Sequence, residues 1–241
     1  MSKKILSIDV GIKNLAYCIL EKKDDKFNIC NWDIVNILDE KLENQPKCQN
    51  ILKNKICSKI ASYSLNTEPL VYYCDKKTCE KNINQKYPKC KSKKLKKITS
   101  KNTSILELGS ILLRKLDKKK EVLLDVDEVV IENQPVLKNP TMKSIQIILY
   151  TYFIEHGYNI DGRIKNIVLF SARNKLKLYD GPKVECQKKN DYDKRKFLSV
   201  EYTKYYIKDD LKNNNFFLKH KKKDDLADSF IQGYYYLFKD K

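Results

Sequence analysis

The sequence predicts an α/β fold in which a mixed five-stranded sheet is flanked by helices. Three strand-like segments separated by turn residues open the chain, as in an antiparallel meander. Strand-like and helical segments then alternate through the second half, which is the pattern of a layered α/β protein. The chain has 241 residues, 41% of them hydrophobic, which is enough for one domain with its own core and an insertion.

The elements follow from the spacing of apolar residues. The first three strands are predicted at residues 4–10, 15–21 and 27–37, because turn residues separate these runs. The first long helix is predicted over residues 103–116, where apolar residues recur at helical spacing and Asn102 or Thr103 could cap the start. The later elements are a buried strand at 128–132, a helix from 141 to near 157, a strand at 165–172, and helices at about 193–208 and 225–238.

Residues 41–100 interrupt this pattern and are predicted to be an insertion into a core formed by residues 1–40 and 101–241. The insertion contains five of the eight cysteines and a lysine-rich run at 89–97. Four thiols that include one close pair could bind Zn²⁺ tetrahedrally and stabilise a segment with few apolar residues. Cys48 competes for a place in this set. The predicted ligands are Cys57, Cys74, Cys79 and Cys90.

The charge balance favours a polyanionic partner. The chain has 49 Lys and Arg against 31 Asp and Glu, and basic side chains bind nucleic acid by neutralising phosphates. A solvated lysine-rich surface would give the same balance, so charge alone does not establish nucleic-acid binding. The longest apolar stretch, at 145–154, is far short of the roughly 20 residues of a membrane-spanning helix, and no signal-peptide core follows the first lysines. We expect an intracellular protein without a membrane partner.

Four carboxylates lie at positions that hydrophobic core residues would not occupy. Asp9 ends the first strand, and Glu132 ends the strand at 128–132. Asp225 and Asp228 share one face of the last helix, whereas Asp224 is predicted to be its N-cap. Each motif alone could be a solvated strand end or an acidic helix start. Together they predict a metal site, because converging carboxylates need a cation and hard oxygen ligands suit Mg²⁺ or Mn²⁺.

These motifs resemble those of a known family. Asp-x-Gly-x-x-Asn-x-Ala on the first strand, Ile-Glu-x-Gln-Pro on a central strand and Asp-x-x-Asp on the last helix are similar to RuvC-type Holliday junction resolvases of the RNase H fold. The similarity is closer to the poxvirus-type resolvases, whose relatives occur in other large DNA viruses. It covers roughly residues 1–38 and 103–238. The cysteine-rich segment departs from it, since the family core is more compact.

The resemblance implies an RNase H-like nuclease core and a structure-selective endodeoxyribonuclease that resolves four-way DNA junctions by two-metal phosphodiester hydrolysis. Two Mg²⁺ or Mn²⁺ ions would activate a water molecule and stabilise the leaving 3′ oxygen, with Asp9 bridging the ions. The resemblance also implies a homodimer that nicks two symmetric strands of branched DNA during viral recombination or replication. The implied ligands are Asp9, Glu132, Asp225 and Asp228.

The resemblance also implies a lysine near the scissile phosphate, for which Lys175 and Lys196 are the candidates by position. Polar and basic residues beside Glu132 and Lys196 could contact the DNA backbone. Loop capping is the alternative role for those that follow Glu132. These candidates are Asn133, Gln134, Lys138, Lys194 and Arg195.

Two other functions stay open on sequence alone, and a third is not supported. The first motif also resembles the phosphate loop of actin-like ATPases and sugar kinases, but the six glycines form no glycine-rich nucleotide motif. An RNase H acting on RNA–DNA hybrids would have much the same metal site, and a zinc-containing basic nucleic-acid-binding protein without catalysis would explain the charge. The viral resemblance implies cytoplasmic replication sites in the infected host cell, although the basic run at 219–223 could act as a nuclear signal.

Overall fold

A computed structural model describes residues 2–137 and 139–240 of the protein. These residues divide into two compact units. The core unit comprises the residues up to Ile37 together with those from Ser104 onward, and the cysteine unit comprises Leu38–Thr103. Within the described ranges, no helix combines the length and the apolar character needed to cross a membrane.

Regular elements account for most of the chain. In chain order, the strands are β1 (Ser2–Asp9), β2 (Leu15–Lys23), β3 (Lys26–Val35), β4 (Ile51–Leu52), β5 (Lys55–Ile56), β6 (Tyr63–Leu65), β7 (Val71–Tyr73), β8 (Ser92–Lys94), β9 (Glu128–Glu132) and β10 (Asn166–Phe170). The α-helices are α1 (Asp39–Glu43), α2 (Lys77–Lys86), α3 (Ile105–Asp117), α4 (Lys120–Leu123), α5 (Pro140–Phe153), α6 (Asp191–Tyr206), α7 (Leu211–Lys219) and α8 (Lys223–Phe238). Short 3₁₀ turns lie at Ser100–Asn102 and Ala172–Asn174, and a π-helical segment at Ile154–Asp161 extends α5.

The core unit is built on a mixed five-stranded sheet, so the predicted α/β fold is confirmed. Its strand order is β10-β9-β1-β2-β3, which places β1 at the centre. β1, β2 and β3 are antiparallel neighbours, whereas β9 runs parallel to both β1 and β10. Ile8 pairs with Ile131, so β1 and β9 end side by side at the same edge of the sheet. Such an edge is where an α/β sheet places its functional side chains.

Helix α8 covers one face of this sheet. Its apolar residues Leu226 and Phe230 are fully buried in a core shared with β1, β2 and β3. The buried Gln232 side chain donates to Ser7 Oγ, and to the backbone oxygens of Ile8 and Val130 in β1 and β9. These hydrogen bonds satisfy a buried amide and fix α8 relative to the two central strands.

The structure differs from the sequence predictions at several helix ends. Ser104, not Asn102 or Thr103, is the N-cap of α3, because its side chain forms a reciprocal capping box with Glu107. Asp224 is not the N-cap of α8: Lys222 holds that position, and Asp224 lies in the first turn. Helix α7 was not predicted, since its Asn-rich sequence has low helix propensity.

The cysteine unit has its own small architecture. β4 and β5 form a short hairpin, and β6 pairs with both β7 and β8 in a three-stranded sheet. Its buried core contains three cysteines beside three larger side chains: Cys48, Cys74, Cys79, Leu65, Tyr73 and Ile83. The hydrophobic core of this unit is therefore small.

Candidate active site

Three separate elements bring carboxylates into one cleft of the core unit. Asp9 is the last residue of β1, Glu132 is the last residue of β9, and Asp228 lies on α8. All three line a cleft of about 720 Å³ at the edge of the sheet. Gly11 permits the tight turn after Asp9, because a side chain there would place its Cβ 2.3 Å from the backbone oxygen of Asn14. Residues far apart in sequence are thus assembled by strand register and helix packing.

The Asp9 carboxyl is in an environment that disfavours its charge. Burial raises its pKa well above the ordinary value, and the nearby charges of Glu132 and Asp228 raise it further. The side-chain contact between Asp9 and Glu132 adds to this rise in pKa. Lys175 opposes these effects but does not cancel them. At Asp9, the neighbouring carboxylates and burial therefore outweigh the one lysine that opposes them.

Lys175 supplies the positive charge closest to this cluster. Its Nζ lies 2.6 Å from Asp228 Oδ1, and the two side chains are only 11% and 17% exposed. Burial lowers the pKa of Lys175, but Asp228, Asp9 and Glu132 raise it by more, so the ammonium form is favoured. Ser199 in α6 donates a 2.7 Å hydrogen bond to the same Asp228 oxygen. Asp228 is therefore oriented from two sides.

Asp225 lines the same cleft but is held differently. Its Oδ2 atom is buried and has no hydrogen-bond partner. Burial raises the pKa of Asp225, and the neighbouring Asp224 and Asp228 charges raise it further. In the described part of the chain, no three carboxylates place their oxygens within 4.8 Å of one another, so the acids surround Lys175 and do not converge on a single point.

Lys196, the second candidate for the lysine near the scissile phosphate, also lines the cleft. Its Nζ is 2.6 Å from Asp224 Oδ2. Burial lowers the pKa of Lys196, but Asp224 and Tyr192 together raise it by more through hydrogen bonds and charge. Asp224 thus neutralises Lys196. It does not cap the helix because α8 already begins at Lys223.

A hydrogen-bond network orients Glu132. Gln134 donates from Nε2 to Glu132 Oε2 at 2.7 Å, and its backbone N–H donates to Oε1 of the buried Gln146. Lys143 Nζ donates to the same Gln146 oxygen and to Asn133 Oδ1. Helix α5 thereby supports the loop that follows β9. Gln134 contacts a carboxylate of the cleft, a role that its position in the motif did not reveal.

Among the predicted DNA-binding residues, Asn133, Gln134 and Arg195 line the cleft. Lys194 is exposed and lies outside the lining, and Lys138 falls outside the described residues. Sequence reasoning missed further lining residues. Two follow Gly11 within the first motif, one follows β10, and one lies in the first turn of α6. They are Lys13, Asn14, Arg173 and Tyr192.

In the cysteine unit, the structure brings four thiols together, but it does not bring together the four that were predicted. Three of the predicted cysteines belong to the cluster, whereas Cys90 lies at its edge and Cys48 takes the fourth place. The reason is the β4–β5 hairpin, which folds the chain back so that residues 48 and 57 become neighbours. The clustered residues are Cys48, Cys57, Cys74 and Cys79, whose sulfur atoms all lie within 4.8 Å of one another.

Comparisons with known proteins identify relatives. The family model described as mitochondrial resolvase Ydc2 / RNA splicing MRS1 matches residues 5–156, a range that includes Asp9 and Glu132. A protein of Acanthamoeba polyphaga mimivirus, described as uncharacterized protein L451, is 32% identical over 310 aligned positions, which cover 97% of this chain and 74% of that protein.

Two solved structures are similar in fold. The yeast mitochondrial Holliday junction resolvase Ydc2 matches with a TM-score of 0.50 and 16% identity, over 95% of this chain and 77% of that chain. The fowlpox virus resolvase, solved as a complex with Holliday junction DNA, matches with a TM-score of 0.48 and 16% identity, over 97% of this chain and 96% of that chain.

Proposed function

Because this chain belongs to the family described as mitochondrial resolvase Ydc2 / RNA splicing MRS1, we propose that it is a metal-dependent endonuclease that resolves four-way DNA junctions. The family match is consistent with the resolvase resemblance of the sequence motifs. The family description names a splicing protein as well as a resolvase, so the contents of the cleft must decide between cleavage and binding. The observation that carries the proposal is the assembly of Asp9, Glu132 and Asp228 in one cleft that also contains Lys175.

We propose that the cleft holds two divalent ions, Mg²⁺ or Mn²⁺. The donor set fits hard cations, since it consists of carboxylate oxygens that carry more negative charge than Lys175 offsets. The buried Asp225 Oδ2 lacks a hydrogen-bond partner and is a further oxygen that could bind a metal ion. Asp9, Glu132, Asp225 and Asp228 would hold the ions. When bound, such ions lower the pKa of a water molecule and stabilise a leaving oxygen.

The other side chains of the cleft have distinct proposed roles. Lys175 is the lysine that we assign to the scissile phosphate, because it lies among the carboxylates, whereas Lys196 is neutralised by Asp224. Ser199 and Gln134 orient Asp228 and Glu132 through hydrogen bonds. These two contacts position the carboxylates before DNA binds.

Basic and polar side chains around the cleft provide a surface for the DNA backbone. Arg173 and Arg195 are exposed and line the cleft together with Lys13. Arginine binds phosphate through two parallel hydrogen bonds, and such contacts position a nuclease without reading sequence. We propose branched DNA as the partner, bound by a homodimer that presents one cleft to each of two symmetric strands.

We propose that this activity serves recombination or replication of viral DNA. The similarity to a mimivirus protein supports a viral setting. Replication sites in the cytoplasm of the infected cell are the proposed location, and fluorescence microscopy of the tagged protein with labelled viral DNA would test it.

The decisive experiment replaces a carboxylate without changing its shape. Asp9→Asn and Asp228→Asn should reduce Mg²⁺-dependent cleavage of a four-way junction by at least about 100-fold, the scale of losing one catalytic group. Junction binding should persist in both variants. Asp209→Asn removes an exposed carboxylate that does not line the cleft, and should cleave like the wild type.

The same assay separates the competing functions. Junctions, linear duplexes and RNA–DNA hybrids are compared at equal concentration. Preferred cleavage of the hybrid would identify an RNase H. Binding of the junction by wild-type protein without cleavage in either Mg²⁺ or Mn²⁺ would contradict the enzymatic proposal and leave a binding protein.

A further inference from the structure

The four clustered thiols of the cysteine unit come from three local structures. Cys48 and Cys57 lie on opposite arms of the β4–β5 hairpin and are joined across it by backbone hydrogen bonds, such as Ser58 N–H to the Cys48 oxygen. Cys74 directly follows β7, and Cys79 is the third residue of α2. The hairpin is tied to β7 because the Gln49 N–H donates to the Tyr72 oxygen. Backbone hydrogen bonds therefore hold the four sulfurs in place.

The spacing of the sulfurs fits one tetrahedral metal ion. Zinc–sulfur bonds of about 2.3 Å in a tetrahedron separate neighbouring sulfurs by about 3.8 Å. The Cys57 and Cys74 sulfurs are 3.8 Å apart, which is far longer than the roughly 2 Å of a disulfide. All eight cysteines are free thiols. The cluster is therefore spaced as metal ligands are and not as disulfide partners.

Backbone N–H groups lie near three of the four clustered sulfurs. They belong to Asn50, Lys59 and Lys76, each two residues after the cysteine that it lies near. Ser58 adopts a positive φ of 50° in the turn that delivers one of these N–H groups. Cys79 lies in the first turn of α2.

We propose that Cys48, Cys57, Cys74 and Cys79 bind one structural Zn²⁺ ion in the cysteine unit. Soft thiolates select zinc over the hard cations proposed for the acidic cleft. Four protein ligands close the coordination shell, which is the arrangement of structural zinc sites. The ion would hold together a unit whose hydrophobic core consists of only a few large side chains. This site is separate in residues and chemistry from the carboxylate cleft.

Cys90 offers a matched control for this assignment. It belongs to the same unit and packs against the same core, but it is outside the four-sulfur cluster. The full chain is expressed in zinc-supplemented medium, and its metal content is measured after gel filtration. Wild type and Cys90→Ser should contain about one zinc per chain. Cys48→Ser should lose most of the zinc. Wild-type protein without zinc, or zinc that depends on Cys90 and not on Cys48, would overturn the proposal.

A second measurement keeps the test valid if Cys48→Ser does not fold. Wild-type protein is reconstituted with Co²⁺, and its absorption spectrum is recorded. Sulfur-to-cobalt charge-transfer bands with the intense visible bands of tetrahedral cobalt are expected. A spectrum typical of octahedral oxygen ligands would contradict a four-thiolate site. Asp9→Asn should contain as much zinc as the wild type. The zinc content therefore tests this proposal independently of the nuclease proposal.

Discussion

At the residue scale, Asp9 shows a conflict between stability and function. Its carboxyl is partly buried beside two other acids, and its pKa is raised by burial first and by Glu132 and Asp228 next. A raised pKa in the folded state means that folding favours the protonated form. The charged form that would bind a metal therefore destabilises the metal-free protein at neutral pH. This penalty is the expected cost of a preorganised cation site.

Asp9→Asn should accordingly stabilise the metal-free protein. In EDTA at pH 7, the midpoint of thermal unfolding should rise by about 2–4 °C for each kcal/mol by which the free energy of unfolding increases. The gain should shrink as the pH falls through the raised pKa of Asp9 toward its ordinary value of 3.8, because the wild-type carboxyl then becomes neutral as well. Differential scanning fluorimetry across this range measures the effect. A variant less stable than the wild type in EDTA would show that Asp9 is not electrostatically strained.

The two cleft lysines should differ in their effect on catalysis. Lys175→Met keeps the length of the side chain but removes the charge beside Asp228, so junction cleavage should fall by about 100-fold or more. Lys196→Met removes a charge that Asp224 already neutralises, and should cost less than tenfold. Single-turnover cleavage measures both variants. Equal losses would contradict the assignment of Lys175.

At the scale of elements, the packing of α8 against the sheet positions two of the four acids. Gly233 lies where a Cβ atom would be 2.8 Å from both Leu20 Cδ1 and Ser7 Cβ. The second contact is to a strand atom that cannot move away easily. Only a glycine therefore permits the helix to approach β1 this closely.

Gly233→Ala should push α8 away from β1. The protein should lose about 1–3 kcal/mol of unfolding free energy through overpacking, although alanine favours helix. Cleavage should fall as well, because Asp225 and Asp228 lie on the same helix. Gly109→Ala in α3 is the matched control, since its Cβ would meet only the flexible tip of Ile148. Chemical denaturation compares the two, and equal stability of both variants would contradict the close-packing argument.

Sequence patterns located most elements of the core unit because their signals are local. The strand β9 was predicted with its observed bounds, since an apolar run ends at a carboxylate. Helix α7 has no comparable signal, and tertiary packing of Phe217 against Trp32 stabilises it. The cap of α3 was predicted a residue or two early because neighbouring polar residues compete, and only the Ser104–Glu107 capping box decides between them.

At the scale of the whole molecule, the limits of sequence reasoning lie in long-range placement. The order of the acidic motifs indicated a site, but spacing alone could not show that Lys175 and Ser199 both contact Asp228. Cysteine spacing likewise favoured Cys90, whereas the hairpin brings Cys48 to the cluster. The contacts to Asp228 and the membership of the cysteine cluster both depend on how the chain folds back on itself, which short-range patterns do not encode.

Zinc removal should affect the two units differently. A strong thiol-competing chelator should make residues 38–103 sensitive to trypsin, because this lysine-rich unit would lose the ion that links its segments. The core unit, with its extensive buried core, should resist under the same conditions. Mass spectrometry of the fragments locates the cuts. An unchanged digestion pattern after zinc loss would show that the ion does not stabilise the unit.

The net charge of +18 should be visible in the salt dependence of DNA binding. Each neutralised phosphate contributes about −0.9 to the slope of log K against log salt. Arg195 lines the cleft, whereas its neighbour Lys194 is exposed and lies outside the lining. In an Asp9→Asn background, Arg195→Ala should therefore reduce the magnitude of the slope by about 1, and Lys194→Ala should change it less. Fluorescence anisotropy with a labelled four-way junction measures both slopes. If Lys194→Ala had the larger effect, the DNA path would lie outside the acidic cleft, and that result would separate the basic surface from the cleavage site.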